Sequence, residues 1–208
     1  MHAIIAVKAF NQAKGRLATV LNSTQREKLS YLMLCDVLIT LYKSDVIKEI
    51  SIVSSEPSIA GLASKYDVNL IITDKDRGYT DDAMQAISQL EPDQDGTVAI
   101  IPSDVPQITT NDIRDLDDGH SLGLSVCPAL MDGGTNAFVF DLPLTIPLLF
   151  GEDSLMKYRQ TAEEKNVNIS LLAIKGFERD IDRPDDLLWL KEQTQGGKAW
   201  SFIQNLNL

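Results

Sequence analysis

Three clusters of residues in this chain are of the right type and spacing to do chemistry. The first is the run Val98-Ala99-Ile100-Ile101-Pro102-Ser103-Asp104-Val105-Pro106. It is continuous and β-branched, the pattern of a strand buried on both faces, and it places Asp104 just past its end. In open α/β sheets, ligands bind outside the carboxyl ends of the strands. The second is Arg179-Asp180-Ile181-Asp182-Arg183-Pro184-Asp185-Asp186-Leu187, in which Asp180 and Asp182 alternate by two and would share one side of an extended segment. The third is the loop Lys8-Ala9-Phe10-Asn11-Gln12-Ala13-Lys14-Gly15-Arg16-Leu17, which follows the first strand-like run and carries cations suited to phosphate oxygens. A hard divalent cation takes oxygen ligands, commonly one or two carboxylates plus substrate phosphates. Asp104, Asp180 and Asp182 beside Lys14 and Arg16 therefore point to metal-assisted phosphate chemistry at one sheet edge. Plainer alternatives stand beside this reading. Asp104 can cap a turn before Pro106, Asp182 can cap the helix that Pro184 opens, and Lys14 and Arg16 can be solvated surface charges.

Two further loops qualify. Asp132-Gly133-Gly134-Thr135-Asn136 joins two strand-like runs; it is either a glycine hairpin turn or a close-approach surface with Thr135 as a donor. Gly151-Glu152-Asp153-Ser154 precedes a helical pattern; Ser154 is either its N-cap or a hydroxyl offered to an anion at a helix start. The loop after the first strand is neither a P-loop nor a Rossmann fingerprint, since GxxxxGK[ST] and GxGxxG are both missing.

The elements that must position these residues follow from periodicity. Strand-like runs occupy 3–7, 50–53, 69–72, 98–101, 122–126, 137–140 and 170–174. The first helix is expected to begin near Ser23-Thr24, with a capping box of Thr24 and Glu27, and to carry the stripe Leu29, Leu32, Met33, Val37, Leu38 and Leu41. Further helices fit 59–65, 81–90, 111–116, 155–165 and 187–193, with Thr109 and Asp112 as a second capping box. The early alternation of strand and helix predicts a parallel sheet with right-handed crossovers. After Leu122 the strands crowd together, which predicts antiparallel members and a mixed sheet.

Composition narrows the function. The 208 residues read as one domain, 1–208, with no linker, repeat or low-complexity segment. A net charge of -11 opposes nucleic-acid binding, which rests on Lys and Arg neutralising phosphates. Any anionic ligand needs local cations, which gives Lys14 and Arg16 their interest. Two histidines, His2 and His120, argue against a zinc site or a histidine base. Cys35 and Cys127 lie far apart in apolar stretches and read as buried small hydrophobes, as expected of a cytoplasmic protein. The apolar runs are too short to span a membrane, and the amino terminus reads as a strand rather than a signal peptide.

Taken in order, these residues resemble the 2-phospho-L-lactate guanylyltransferases. The resemblance begins at Val7 and runs through Lys14-Gly15-Arg16-Leu17, Arg26, Leu29 and Met33-Leu34-Cys35-Asp36-Val37-Leu38. It continues through Ile101-Pro102-Ser103-Asp104-Val105-Pro106, Asp132-Gly133-Gly134-Thr135-Asn136-Ala137 and Asp180-Ile181-Asp182-Arg183-Pro184-Asp185-Asp186-Leu187. It implies a three-layer α/β nucleotidyltransferase fold on a mixed, mostly parallel sheet, similar to the GT-A type and the nucleotide-diphospho-sugar transferases. It implies GTP and a three-carbon 2-phospho acid as substrates, in the synthesis of the deazaflavin coenzyme F420 as in methanogenic archaea. Related enzymes use phosphoenolpyruvate or 3-phosphoglycerate instead. By motif, Asp104, Asp180 and Asp182 would hold Mg²⁺, and Asp104, Lys14 and Arg16 would be catalytic. Lys8, Lys14, Arg16 and Gly78 would serve the nucleotide, and Thr135, Gly151 and Ser154 the phospho acid. No nucleic-acid or membrane partner is implied, and there is room for a homodimer. The chain departs from the family at Tyr79-Thr80, where Leu-Asn is common after the glycine. The alternatives are a sugar-phosphate nucleotidyltransferase and a non-catalytic nucleotide-binding regulator of the same fold.

Overall fold

The computed structural model describes residues 1–75, 77–90, 96–131 and 133–206. In chain order the elements are β1 (His2–Val7), α1 (Ser23–Lys43), β2 (Glu49–Ser54), α2 (Ala60–Tyr66), β3 (Asn69–Ile72), α3 (Tyr79–Ile87) and β4 (Thr97–Ile100). They continue with α4 (Thr110–Gly119), β5 (Leu124–Pro128), β6 (Thr135–Asp141), α5 (Ser154–Lys165), β7 (Ile169–Leu171), α6 (Pro184–Glu192) and α7 (Lys198–Gln204). All seven strands form one sheet in the order β3-β2-β1-β4-β6-β5-β7. The pairs β1–β2, β2–β3, β1–β4 and β5–β7 are parallel, and β6 runs antiparallel to both β4 and β5. The expected mixed, mostly parallel sheet is therefore present, with a single reversed strand. That reversal brings the start of β6 to the edge where β1 and β4 end, since Phe138 pairs with Ile100.

Alternation along β1 divides the core into two layers. Ala3, Ile5 and Val7 pack with Leu34, Val37, Leu38 and Leu41 of α1 and Ile113 and Leu116 of α4. Ile4 and Ala6 pack on the other side, with Ala83 and Ala86 of α3 and Tyr158 and Ala162 of α5. Helices thus cover both faces, as a parallel sheet requires. A third apolar cluster joins Leu17, Leu29 and Met33 to Ile181, Leu187, Leu190, Ala199 and Ile203. It pins the carboxy-terminal helices, and the acidic segment before them, against the loop that follows β1.

Several expected boundaries shift for identifiable reasons. The α1 capping box is made by Asn22 and Gln25, not Thr24 and Glu27; Asn22 accepts from the Gln25 N–H and Gln25 from the Asn22 N–H, each at 2.9 Å. The Thr109–Asp112 box is present. β5 begins at Leu124 because Gly123, at φ 108°, bends the chain ahead of it with Asn168 O 2.4 Å from where a Cβ would stand. α7 was not anticipated from the sequence. Its first turn is capped from a distance by the Asp36 carboxylate of α1, which accepts the Lys198 and Ala199 N–H groups at 2.8 Å each.

The cap assignment can be tested. Asn22→Ala is expected to lower stability by about 1 kcal/mol in urea unfolding, the usual worth of an N-cap, whereas Thr24→Ala should be close to neutral. A larger loss from Thr24→Ala would restore the sequence-based register.

Candidate active site

The acidic and basic clusters meet at the carboxyl edge of the sheet. After β1 the chain makes two short 3-10 turns, Phe10–Gln12 and Gly15–Thr19, with Lys14 between them in the left-handed region at φ 57°. A non-glycine residue there carries a backbone cost of about 1–3 kcal/mol, which its surroundings must hold in place. What holds it is charge: Lys14 Nζ donates to Asp104 Oδ2 at 2.5 Å and lies 3.6 Å from Asp182 Oδ1. Arg16 NH1 donates to Asp182 Oδ2 at 2.6 Å. The Lys14 side chain is only 9% exposed.

The acidic segment adopts the alternating form expected of it. Ile181 is fully buried while Asp180 and Asp182 are half-buried on the other side. The Ile181 N–H donates to the Asp104 carbonyl at 2.9 Å, which fixes the segment beside the end of β4. Burial pulls the Lys14 pKa down, but the charges of Asp104 and Asp182, the hydrogen bond to Asp104 and the charge of Asp180 outweigh it and hold the ammonium above its ordinary range. Burial, followed by the Asp104 charge, pushes the Asp180 carboxyl up to about 6 against the pull of Lys14.

The plainer alternatives do not describe Asp104, Asp182 or Lys14, though Arg16 is a solvated charge as well as a paired one. Asp104 is bound to Lys14 rather than closing its own turn. Asp182 does not cap α6: Arg183 occupies the cap position, and the Asp186 carboxylate accepts the Asp182 and Arg183 N–H groups at 3.1 and 2.8 Å. Lys14 is buried; Arg16 is exposed yet paired.

Two adjoining cavities open over this cluster and share Arg16, Tyr79, Pro102, Asp104 and Asp182 as walls. One, of about 580 Å³, runs along the loop after β1 and is bounded by Lys8, Lys14 and Gly15. The other, of about 620 Å³, is bounded by Gly78, Gly134, Thr135, Gly151, Glu152 and Asp180. Gly78 at φ 98° opens α3, and Gly151 at φ 117° turns the chain toward α5; no atom crowds either position, so conformation rather than space calls for glycine.

Ser154 is the one anticipated site residue that does not reach the cavity. It is fully buried, it is the first residue of α5 rather than its cap, and its N–H donates to the Gly151 carbonyl. Its hydroxyl donates to Thr135 Oγ1 at 3.1 Å. It therefore stands behind Thr135, which faces the opening. Asp132, part of the same motif, lies outside the described residues.

Sequence reasoning missed other walls. Arg77 and Arg183 border the larger cavity, and Tyr79, half-buried, packs edge-to-face on Phe150 with ring centroids 4.8 Å apart. Burial, then the Asp104 charge, raises the Tyr79 hydroxyl pKa. The signal for both arginines was present, since each sits beside a residue already singled out, Gly78 and Asp182.

Whether the carboxylates suit a divalent cation can be judged from their chemistry. Among the described residues no three His, Cys, Asp or Glu side chains form a ready-made metal cage. Asp104, Asp180 and Asp182 nonetheless supply hard oxygen donors around one cationic point, the set expected where a metal draws its remaining ligands from substrate phosphates.

The family model described as "Guanylyl transferase CofC like" matches residues 1–208, the entire chain. The chain belongs to this family. Among its relatives, a phosphoenolpyruvate guanylyltransferase of Roseiflexus castenholzii is 33% identical over 195 residues, covering 93% of this chain and 89% of that one. A 2-phospho-L-lactate guanylyltransferase of Methanothermobacter thermautotrophicus is 27% identical over 204 residues, covering 98% and 90%. Family members thus occur in bacteria as well as archaea. In fold, the chain is similar to a Desulfovibrio desulfuricans protein described as a nucleotide-diphospho-sugar transferase, with a TM-score of 0.79 at 15% identity and coverage of 98% and 93%. It is also similar to CMP:2-keto-3-deoxy-manno-octonic acid synthetase, with a TM-score of 0.59 at 10% identity and coverage of 91% and 95%. The chain thus has the nucleotidyltransferase fold expected from the sequence. Among the described residues no helix is long and apolar enough to cross a membrane.

The Ser154–Thr135 contact makes a prediction. Ser154→Ala leaves the Thr135 hydroxyl without its buried donor and is expected to cost about 1 kcal/mol of stability, read by urea unfolding. An unchanged unfolding midpoint would show that the hydroxyl pair carries no stability.

Proposed function

We propose that this protein is a guanylyltransferase that joins GTP to a three-carbon 2-phospho acid and releases pyrophosphate, a step in making coenzyme F420. The relatives with 33–34% identity are named for phosphoenolpyruvate and those at 24–29% mostly for 2-phospho-L-lactate, so phosphoenolpyruvate is the first acid to test. The observation that carries the reading is Lys14, fixed between Asp104 and Asp182 at the seam of two adjoining cavities. Two anions must meet there, and an acidic protein has to concentrate cations at that point to allow it.

In this reading an oxygen of the acid's phosphate attacks the α-phosphorus of GTP, the new P–O bond forms, and the bond to the β-phosphate breaks. A phosphate monoester is largely a dianion near pH 7, its second pKa being about 6, so the nucleophile needs no general base. Lys14 and Arg16 meet the triphosphate and offset charge as pyrophosphate leaves. Lys8 and Gly78 bound the nucleotide. Thr135 and the Gly151 turn meet the acid, and Ser154 orients the Thr135 hydroxyl. Mg²⁺, held by Asp104, Asp180 and Asp182 together with phosphate oxygens, would neutralise the reacting phosphates. The protein's share of the catalysis is positioning and electrostatics.

Pyrophosphate release from each of the four nucleoside triphosphates against a panel of small phospho acids and sugar phosphates tests the assignment. GTP with phosphoenolpyruvate or 2-phospho-L-lactate is expected to react, with GTP preferred to ATP. Turnover with sugar phosphates alone would move the protein to the sugar-phosphate nucleotidyltransferases, and no turnover with any pair would leave a binding protein.

Asp104→Asn should abolish turnover while the chain stays folded by circular dichroism; normal pyrophosphate release by the folded variant would sink the metal assignment. Arg16→Ala, on an exposed but paired cation, is expected to lower kcat/KM for GTP by roughly fivefold to tenfold, near 1 kcal/mol. Thr135→Val should raise KM for the acid and spare GTP.

A further inference from the structure

Lys14 stands on the carboxylates that the proposed reaction assigns to the metal. Its ammonium is 2.5 Å from Asp104 and 3.6 Å from Asp182, its charge acts on Asp180, and its side chain is 9% exposed. The contact is not incidental to the backbone, because Lys14 adopts a left-handed conformation that lysine rarely takes, and it does so between two 3-10 turns. An ammonium and a divalent cation repel one another, so both cannot sit on the same carboxylate oxygens. Three carboxylates without either cation would repel one another in turn. Positive charge on the cluster relieves that repulsion, and in this structure it is the protein's own, Lys14 on Asp104 and Arg16 on Asp182.

We infer that Lys14 is an internal counter-ion that keeps divalent metal off Asp104 and Asp182 until a nucleotide triphosphate draws its ammonium away, so that metal occupancy depends on nucleotide. The inference rests on the guanylyltransferase reading above. The exchange leaves the carboxylates one positive charge richer: the metal brings two, and the ammonium carries its one to the triphosphate. Lys14 then serves twice, first as the guard of the metal site and then as a phosphate ligand. A site of this kind discriminates against free metal, and against metal-assisted side reactions, before the nucleotide is present.

Mn²⁺ is the probe. Its binding to the free protein, without nucleotide, is measured by electron paramagnetic resonance and by its effect on the melting temperature, for wild type, Lys14→Met and Lys14→Gln. Both variants keep a long side chain and remove the charge; the glutamine variant serves if the methionine variant fails to fold by circular dichroism. The folded variant is expected to bind Mn²⁺ alone at least roughly tenfold more tightly than wild type, about 1.4 kcal/mol. Mn²⁺ alone should also raise the variant's melting temperature and leave that of wild type unchanged. Equal Mn²⁺ affinity in wild type and a folded variant overturns the inference. GTP binding to wild type, titrated calorimetrically with and without Mn²⁺, tests the underlying reading separately. GTP that fails to bind under either condition refutes the guanylyltransferase assignment, whereas tight GTP binding with no gain of Mn²⁺ affinity in the variants refutes only the guard role of Lys14.

Discussion

A single backbone hydrogen bond organises the site: the Ile181 N–H donating to the Asp104 carbonyl at 2.9 Å. It ties a segment near the carboxyl end of the chain to the residue just past β4, and it works because Ile181 is buried to nothing between two aspartates. An apolar side chain at that position is pulled into the cluster of Leu17, Leu29, Leu187 and Ile203. Its neighbours on either side must then turn outward, toward Asp104 and Lys14. The charged site is thus aligned by a non-polar residue. The hydrophobic free energy that anchors a buried isoleucine, about 1.5–3 kcal/mol, offsets part of the cost of bringing like charges together.

Much of this was legible in the chain. The strand at 98–101 announced itself by a continuous apolar run, and Asp104 by its place beyond the end of that run. The alternation of Asp180 and Asp182 was readable as soon as the segment was taken as extended. What the sequence conceals is where contacts come from far away. α7 has no local cap to betray it, because its cap is Asp36, more than a hundred and sixty positions earlier in the chain. Ser154 looked like a helix cap or a ligand contact; burial, which no local pattern encodes, made it a partner of Thr135. The α1 cap lies two residues before Thr24-Glu27 because Asn22 and Gln25 make a box of the same spacing, and Leu21 just ahead of it and Leu29 within the helix share one buried cluster.

The electrostatics of the protein differ between its surface and its cleft. At -11 the surface as a whole turns anions away. Around the cleft the charges are even, with Lys8, Lys14, Arg16, Arg77 and Arg183 set against Asp81, Asp104, Glu152, Asp180 and Asp182. At its centre Lys14 and Arg16 balance the carboxylates of Asp104 and Asp182. An approaching polyanion therefore meets a cleft less negative than the surface around it.

The reversed strand β6 has a consequence for how such a protein diversifies. Because β6 runs against its neighbours, Thr135 lies at its beginning and is delivered to the ligand edge by the turn between β5 and β6. Lys14 and Arg16 come instead from the loop after β1, on the far side of β4. The two loops are borne by different strands but lean on one core layer, where Phe10 packs with Cys127 and Ala137, and the hairpin is hydrogen-bonded through Leu130 and Asn136 to the segment that leads to Asp180. Under the proposed reaction, selection for a different small acid would then favour changes of hairpin side chains that keep these bonds over changes of hairpin length.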